Sequence, residues 1–383
     1  MHRRWGDRKK IVYLQKSSDM KTFHHYHIGN STKMSAITDN AVDLVVTSPP
    51  YPMIEMWDDI MANQNKEIKD SLISDPDNAF ELMHQELDKV WQECFRVIKP
   101  GGFLCINIGD ATRTINGRFK LYNNHSRIIS SCLGIGFVGL PNIIWRKQTN
   151  APNKFMGSGM LPCGAYVTLE HEWILIFRKG DKRIFKEASD KQDRSKSAFF
   201  WEERNIWFSD VWEIKGTKQS LKHPKSRERS AAYPLEVPYR LINMYSQIGD
   251  TVLDPFVGTG TTMQAAILLG RNSIGYDIDQ HMGGLIATGI GTMNIDRCND
   301  LIKQRFDNHV AFIKERKASG KDVKHFNMPM KVEVMTKQEE TMELCYLKGI
   351  SLLPERNGWM VEIEDHSHLN FHSVRQGLFA AIV

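Results

Sequence analysis

Apolar residues along this chain fall into two alternating patterns. Short, nearly uninterrupted runs occur at 42–46, 103–108, 142–145, 172–177, 251–253 and 272–276. Each stops within a few residues at a proline, a glycine or a charged side chain, as buried strands do. Between them lie stretches with helical spacing. In 79–98, Phe80, Met83, Leu87, Val90, Trp91, Cys94 and Val97 share one face. Further helices are expected at 123–133, 235–246, 261–269 and 294–318. Residues 22–28 alternate like a strand and stop at Gly29-Asn30. Strands buried on both sides and separated by helices predict an α/β fold, Rossmann-like and doubly wound, with a mostly parallel sheet. After Gly320 the pattern weakens, and 330–335 and 359–363 read as strands of a small terminal element.

These patterns divide the chain into a basic N-terminal arm (1–20), a first half (21–178), a charged stretch (179–232), a second half (233–318) and a C-terminal extension without an assigned role (319–383). Charge changes the picture in one place. The net charge of the 383 residues is only +5, but 178–229 holds 15 Lys and Arg against 9 Asp and Glu. Such a stretch either follows a phosphate backbone or is a solvated loop. The apolar and charged fractions, 41% and 25%, are those of an ordinary globular chain. No window has the length and apolarity of a membrane span, and the start lacks the apolar core of a signal peptide, so the expected compartment is the cytoplasm. The six cysteines form no C-x-x-C pair and read as buried, reduced thiols. His24, His25 and His27 point to alternating faces of a strand and have no acidic or Cys partner nearby, so no metal site is expected.

Two loops carry candidate chemistry. The first is Asp254-Pro255-Phe256-Val257-Gly258-Thr259-Gly260-Thr261-Thr262, between a strand and a helix. It lacks the third glycine of a dinucleotide fingerprint and the Lys-Ser/Thr of a phosphate loop. The next strand ends in Asp277, an acid placed to accept hydrogen bonds from ribose hydroxyls. Glycines let a ligand approach the main chain, and the helix start offers free N–H groups. A ribose-bearing cofactor without a pyrophosphate fits, and S-adenosyl-L-methionine is the obvious one.

The second loop, Ser48-Pro49-Pro50-Tyr51, follows the strand 42–46. Carboxyl ends of strands are where open α/β sheets bind ligands. Two prolines stiffen the loop and hold the Ser48 hydroxyl and the Pro49 carbonyl as fixed acceptors. Acceptors at both N–H bonds of an exocyclic base amine would free its delocalised lone pair and aim it at a methyl group. Tyr51 would stack on a base taken out of its duplex.

With these residues in view, the chain resembles the DNA amino-methyltransferases of restriction–modification type. In that family a [D/N/S]-P-P-[Y/F/W] motif is catalytic and F-x-G-x-G binds S-adenosylmethionine. Here they stand as Ser48-Pro49-Pro50-Tyr51 and Phe256-Val257-Gly258-Thr259-Gly260. The resemblance covers roughly 22–280 and includes Trp145-Arg146-Lys147 and Glu170-His171-Glu172-Trp173-Ile174-Leu175. It departs from the family pattern at Gly29-Asn30 and at a stretched His223-Pro224 and Tyr233-Pro234.

The catalytic motif comes first, which resembles the β group and implies a class I methyltransferase with permuted motif order. It implies that Ser48, Pro49, Pro50 and Tyr51 are catalytic. Asp254, Pro255, Phe256, Gly258, Thr259, Gly260, Thr261 and Asp277 would bind the cofactor, with 235–242 against its methionine end. Target recognition would fall in 179–232, where Phe199, Phe200, Trp201 and Trp207 sit among the charges. Thr-Ser-Pro-Pro-Tyr is more typical of N4-cytosine enzymes than of N6-adenine enzymes. The expected substrate is therefore cytosine in double-stranded DNA, with adenine as the alternative. A DNA-binding relative without catalysis is a third reading, and base chemistry alone does not exclude RNA. A cognate restriction endonuclease is the implied functional partner, and a homodimer is compatible with the sequence.

Overall fold

The computed structural model describes residues 20–147, 156–216, 233–354 and 357–364. Almost all of the N-terminal arm, the part of the recognition region from 217 to 232 with His223-Pro224, and residues 365–383 lie outside the described residues. One sheet contains β1 (Met20–Ile28), β2 (Val42–Thr47), β3 (Ile98–Ile108), β4 (Phe137–Gly139), β5 (Ile143–Arg146), β6 (His171–Lys179), β7 (Val211–Glu213), β8 (Thr251–Asp254), β9 (Asn272–Asp277), β10 (Tyr346–Leu352) and β11 (Gly358–Glu364). Their order is β7-β5-β6-β3-β2-β8-β9-β1-β11-β10, with β4 also paired to β6. The central run β3-β2-β8-β9-β1 is parallel. Beyond it, β6 pairs antiparallel with β3 and β11 pairs antiparallel with β1.

The helices are α1 (Asp58–Gln64), α2 (Glu67–Ser74), α3 (Pro76–Val97), α4 (Asn124–Ile135), α5 (Ala188–Lys196), α6 (Trp201–Trp207), α7 (Glu236–Tyr245), α8 (Thr261–Leu268), α9 (Gln280–Gly291) and α10 (Ile295–Ala318). They cover both faces of the sheet, the doubly wound arrangement expected from the strand pattern. All six residues of β2 are buried. Val45 enters the core shared with α3 and α4, whereas Leu44 and Val46 enter the core shared with α7 and α8. A strand packed on both faces needs a continuous apolar run, and this one has it. In α3 the Asp75 side chain caps the first turn by accepting from the Asn78 N–H, and Pro76 fills a position that needs no donor.

The charged stretch lies at a place the sequence pattern did not reveal. Arg183 bonds Asp250, just before β8, at 2.8 Å, and Ser197 Oγ accepts from the Ile248 N–H at 2.8 Å. Residues 183–197 therefore sit at the amino ends of the parallel strands. From there α6 is tied to α10 by the largely buried pair Glu203–Arg305, at 2.8 Å. Phe200 packs with Phe306, Met330, Val334 and Met342 in a third core. Among the described residues, the chain returns toward the carboxyl ends through β7, which runs parallel to β5. The C-terminal extension supplies β10 and β11 to the main sheet and the hairpin His325–Asn327/Val332–Val334 to the third core.

Candidate active site

Register brings the two loops together. In the parallel neighbours β2 and β8, Leu44 lies opposite Val252 and Val45 opposite Leu253. Both strands therefore end at the same edge, and the loops that follow leave it side by side. β9 ends next to them at Asp277, paired to β8 and β1. The loops border a cleft of about 790 Å³, its open mouth included. Ser48 and Pro50 line it together with Pro255, Phe256, Gly258 and Asp277. Trp57 and three residues of α1 (Ile60, Met61, Gln64) form a wall that the sequence pattern had not shown. Among the described residues, those that line it include Glu86, Asp277 and Asp279 but neither Lys nor Arg. These carboxylates suit a cofactor that carries positive charge, such as S-adenosylmethionine.

On the cofactor side, Gly258 and Gly260 adopt left-handed backbone, with φ of 52° and 89°. A Cβ on Gly258 would meet no neighbour closer than 3.9 Å, so the loop is open there. The Asp277 carboxylate accepts from the Gly258 N–H at 3.0 Å and the Asp279 N–H at 2.8 Å. It braces the glycine loop and faces the cleft at once, and burial raises its pKa. Thr261 opens α8 directly after Gly260. Residues 235–242 are not among those that line the cleft; most are buried in the core beneath the sheet.

Asp254 lies below the cleft and joins the two loops. It accepts from Thr47 Oγ1 at 2.6 Å, Thr262 Oγ1 at 2.5 Å and the Phe256 N–H at 3.0 Å. Desolvation raises its pKa to about 6, against the pull of these hydrogen bonds.

On the side of the Ser-Pro-Pro-Tyr loop, Tyr51 is 8% exposed and is absent from the described residues that line the cleft. Its hydroxyl donates to Glu172 Oε2 at 2.9 Å and lies 3.1 Å from Ser48 Oγ. Asn107 Nδ2 donates to both the Tyr51 hydroxyl, at 2.8 Å, and Glu172 Oε2, at 2.7 Å. The ammonium of Lys147 pairs with Glu172 Oε1. Burial, followed by the Glu172 charge, pushes the Tyr51 pKa well above the ordinary phenol value. Gly109 makes room for this ring, since a Cβ there would stand 3.0 Å from it.

Asn107, Lys147 and Glu172 had no role in the sequence reading. The signal for Asn107 was a polar residue inside an apolar strand. Lys147 and Glu172 stood within the family-like segments but were not placed near the loop. The His24 ring nitrogens bond Thr22 and Ser273, at 2.9 and 2.8 Å. Burial lowers its pKa to about 3.

This combination is an α/β sheet whose glycine loop and Ser-Pro-Pro-Tyr loop border one cleft at one edge. Residues 42–288 match the N6_N4_Mtase family model, described as DNA methylase. The chain belongs to this DNA methylase family. It is 51% identical over 330 residues to the Type II methyltransferase M.MthZI of Methanothermobacter thermautotrophicus, covering 85% of this chain and 91% of that one. To the Type II methyltransferase M.MjaI of Methanocaldococcus jannaschii it is 53% identical over 290 residues, covering 72% and 93%. Among solved structures it is similar to a protein of Thermus thermophilus described as a DNA modification methylase, complexed with S-adenosyl-L-methionine. That similarity has a TM-score of 0.53 and 31% identity, and covers 68% of this chain and 90% of the other.

Proposed function

We propose that this chain transfers a methyl group from S-adenosyl-L-methionine to the exocyclic N4 of a cytosine flipped out of double-stranded DNA at a specific site. One observation carries this reading: a single cleft takes Ser48 and Pro50 from the end of β2 and Gly258 and Asp277 from the ends of β8 and β9. Cofactor and acceptor would then meet without a covalent enzyme intermediate. When bound, the cofactor supplies an electrophilic methyl group on a sulfonium. The protein's part is to position the amine and to set the charges around it.

Ser48 Oγ and the Pro49 carbonyl are the proposed acceptors of the amine N–H bonds. The preference for cytosine over adenine rests on serine at position 48, where the resemblance associates aspartate with adenine enzymes. The named relatives support a type II modification role, with a restriction endonuclease of the same site as functional partner. No helix among the described residues is long and apolar enough to cross a membrane, and cytoplasmic action on DNA is the proposed setting.

Mass spectrometry of nucleosides from duplex DNA incubated with the protein and S-adenosylmethionine tests the reading. N4-methylcytosine is expected. N6-methyladenine would move the assignment to adenine, and no modified nucleoside would refute methyl transfer to DNA. Asp277→Ala frees the glycine loop and removes the acid facing the ribose. Cofactor affinity is expected to fall about tenfold or more, as for a lost hydrogen bond to a charged group, measurable by titration calorimetry.

A further inference from the structure

The geometry points to Glu172 as the final acceptor of the proton that a base amine loses on methylation, reached through the hydroxyls of Ser48 and Tyr51. This rests on the reading of the cleft as an amine methyltransferase site. The neighbours of the two hydroxyls assign the direction of the bond between them. Asn107 Nδ2 can only donate, and the ionised carboxylate of Glu172 can only accept. The Tyr51 proton therefore lies on the Glu172 side, at 2.9 Å, and its oxygen is left to accept from Ser48 Oγ, 3.1 Å away. With its own proton committed to Tyr51 and one long bond accepted from Asn107 Nδ2, at 3.4 Å, Ser48 keeps a lone pair for the cleft it lines. The site thus offers an acceptor, and what it selects is a donor such as an amine.

The same polarity gives the proton a route. When the amine nitrogen attacks, a C–N bond forms, the S–C bond breaks, and its electron pair stays on sulfur. The nitrogen then carries one proton too many. That proton moves to Ser48 Oγ as the Ser48 proton moves to the Tyr51 oxygen and the Tyr51 proton moves to Glu172 Oε2. Both hydroxyls end neutral, and Glu172 ends as a carboxylic acid. Neither hydroxyl is basic enough to keep the proton, and the raised Tyr51 pKa keeps the phenol neutral between turnovers. Lys147 and Asn107 hold the carboxylate in place from two sides. Lys147, whose side chain is 37% exposed, marks the side from which the proton can return to water.

Glu172→Gln keeps the shape of the side chain and removes the acceptor. In single-turnover assays with duplex DNA, the methylation rate is expected to fall by roughly 10²-fold or more, the usual worth of a positioned proton acceptor. Dissociation constants for cofactor and DNA should not change. The acid limb of the wild-type pH–rate profile and its solvent deuterium isotope effect should both disappear. Tyr51→Phe, which keeps the ring, should also abolish the isotope effect, and it provides the test if the Gln variant does not fold. An unchanged rate in either variant overturns the relay. So does a slowed Gln variant that retains the wild-type acid limb and isotope effect, because Glu172 would then only position Tyr51. A wild-type protein that methylates no DNA base refutes the functional reading itself, a result separate from either of these.

Discussion

Ser48→Ala is expected to slow methyl transfer by roughly 10²- to 10³-fold, the loss typical of removing one preorganised hydrogen-bonding group from a reacting centre. Cofactor binding should be unaffected, because the glycine loop is braced from Asp277 and Asp254. DNA binding should also persist, since phosphate contacts dominate such affinities. The effect should therefore appear in the single-turnover rate constant and leave both dissociation constants unchanged. The physical reason is that Ser48 has two jobs. Ser48 lines the cleft, and in the proposed relay its hydroxyl donates to that of Tyr51, 3.1 Å away. Alanine removes both the acceptor for the amine and the first step of the proton's exit. Transfer of radiolabelled methyl groups to duplex DNA in a rapid-quench experiment measures the rate directly. A variant that methylates as fast as the parent would show that Ser48 does not hold the amine.

The central sheet was legible because its strands are buried on both faces. Two-sided burial writes a continuous apolar run, as in 42–46, 103–108 and 251–253, and that signal is hard to mistake. The long helix α10 was read within a residue of its start, with Asn294 capping it in the structure. Helix α9 was missed because Gly283, Gly284, Gly289 and Gly291 give it poor helix propensity. Packing of Met282, Ile286 and Ile290 into the core overrides that propensity. Helix α1 was missed because it is short and only Met61 is buried, although it forms a wall of the cleft.

The candidate site was half legible for a related reason. Loop motifs are contiguous in sequence, so Ser48 to Tyr51 and Asp254 to Thr262 could be found by reading along the chain. Glu172 reaches Tyr51 across a sequence separation of 121 residues, through a strand order that no local pattern encodes. The same holds for the charged stretch. Its composition suggested phosphate contacts, but Arg183 is paired with Asp43 and Asp250, and Arg305 takes up Glu203. Part of its charge therefore belongs to the fold, at the edge away from the cleft.

Asp254→Ala should be the most destabilising change in the site, costing about 3 kcal/mol in urea denaturation, because buried donors lose their acceptor. Thr47 Oγ1, Thr262 Oγ1 and the Phe256 N–H all depend on this carboxylate. Since Thr47 precedes the Ser48–Tyr51 loop and Phe256 belongs to the glycine loop proposed to hold the cofactor, the variant should also weaken cofactor binding. The wild-type residue leaves a pH signature of its own. Its folded pKa, about 6, lies above the ordinary value of 3.8. The folded state therefore holds the proton more tightly than the unfolded chain. The stability this contributes is complete below the unfolded pKa and is lost as pH rises through the folded one. Between pH 4 and about 6.5 the wild type should lose stability on the order of 3 kcal/mol from this group, two pKa units' worth. Asp254→Asn cannot ionise and should lack that slope. Denaturation midpoints of both proteins across this range measure the difference, and parallel curves would show that Asp254 is not held protonated by its surroundings.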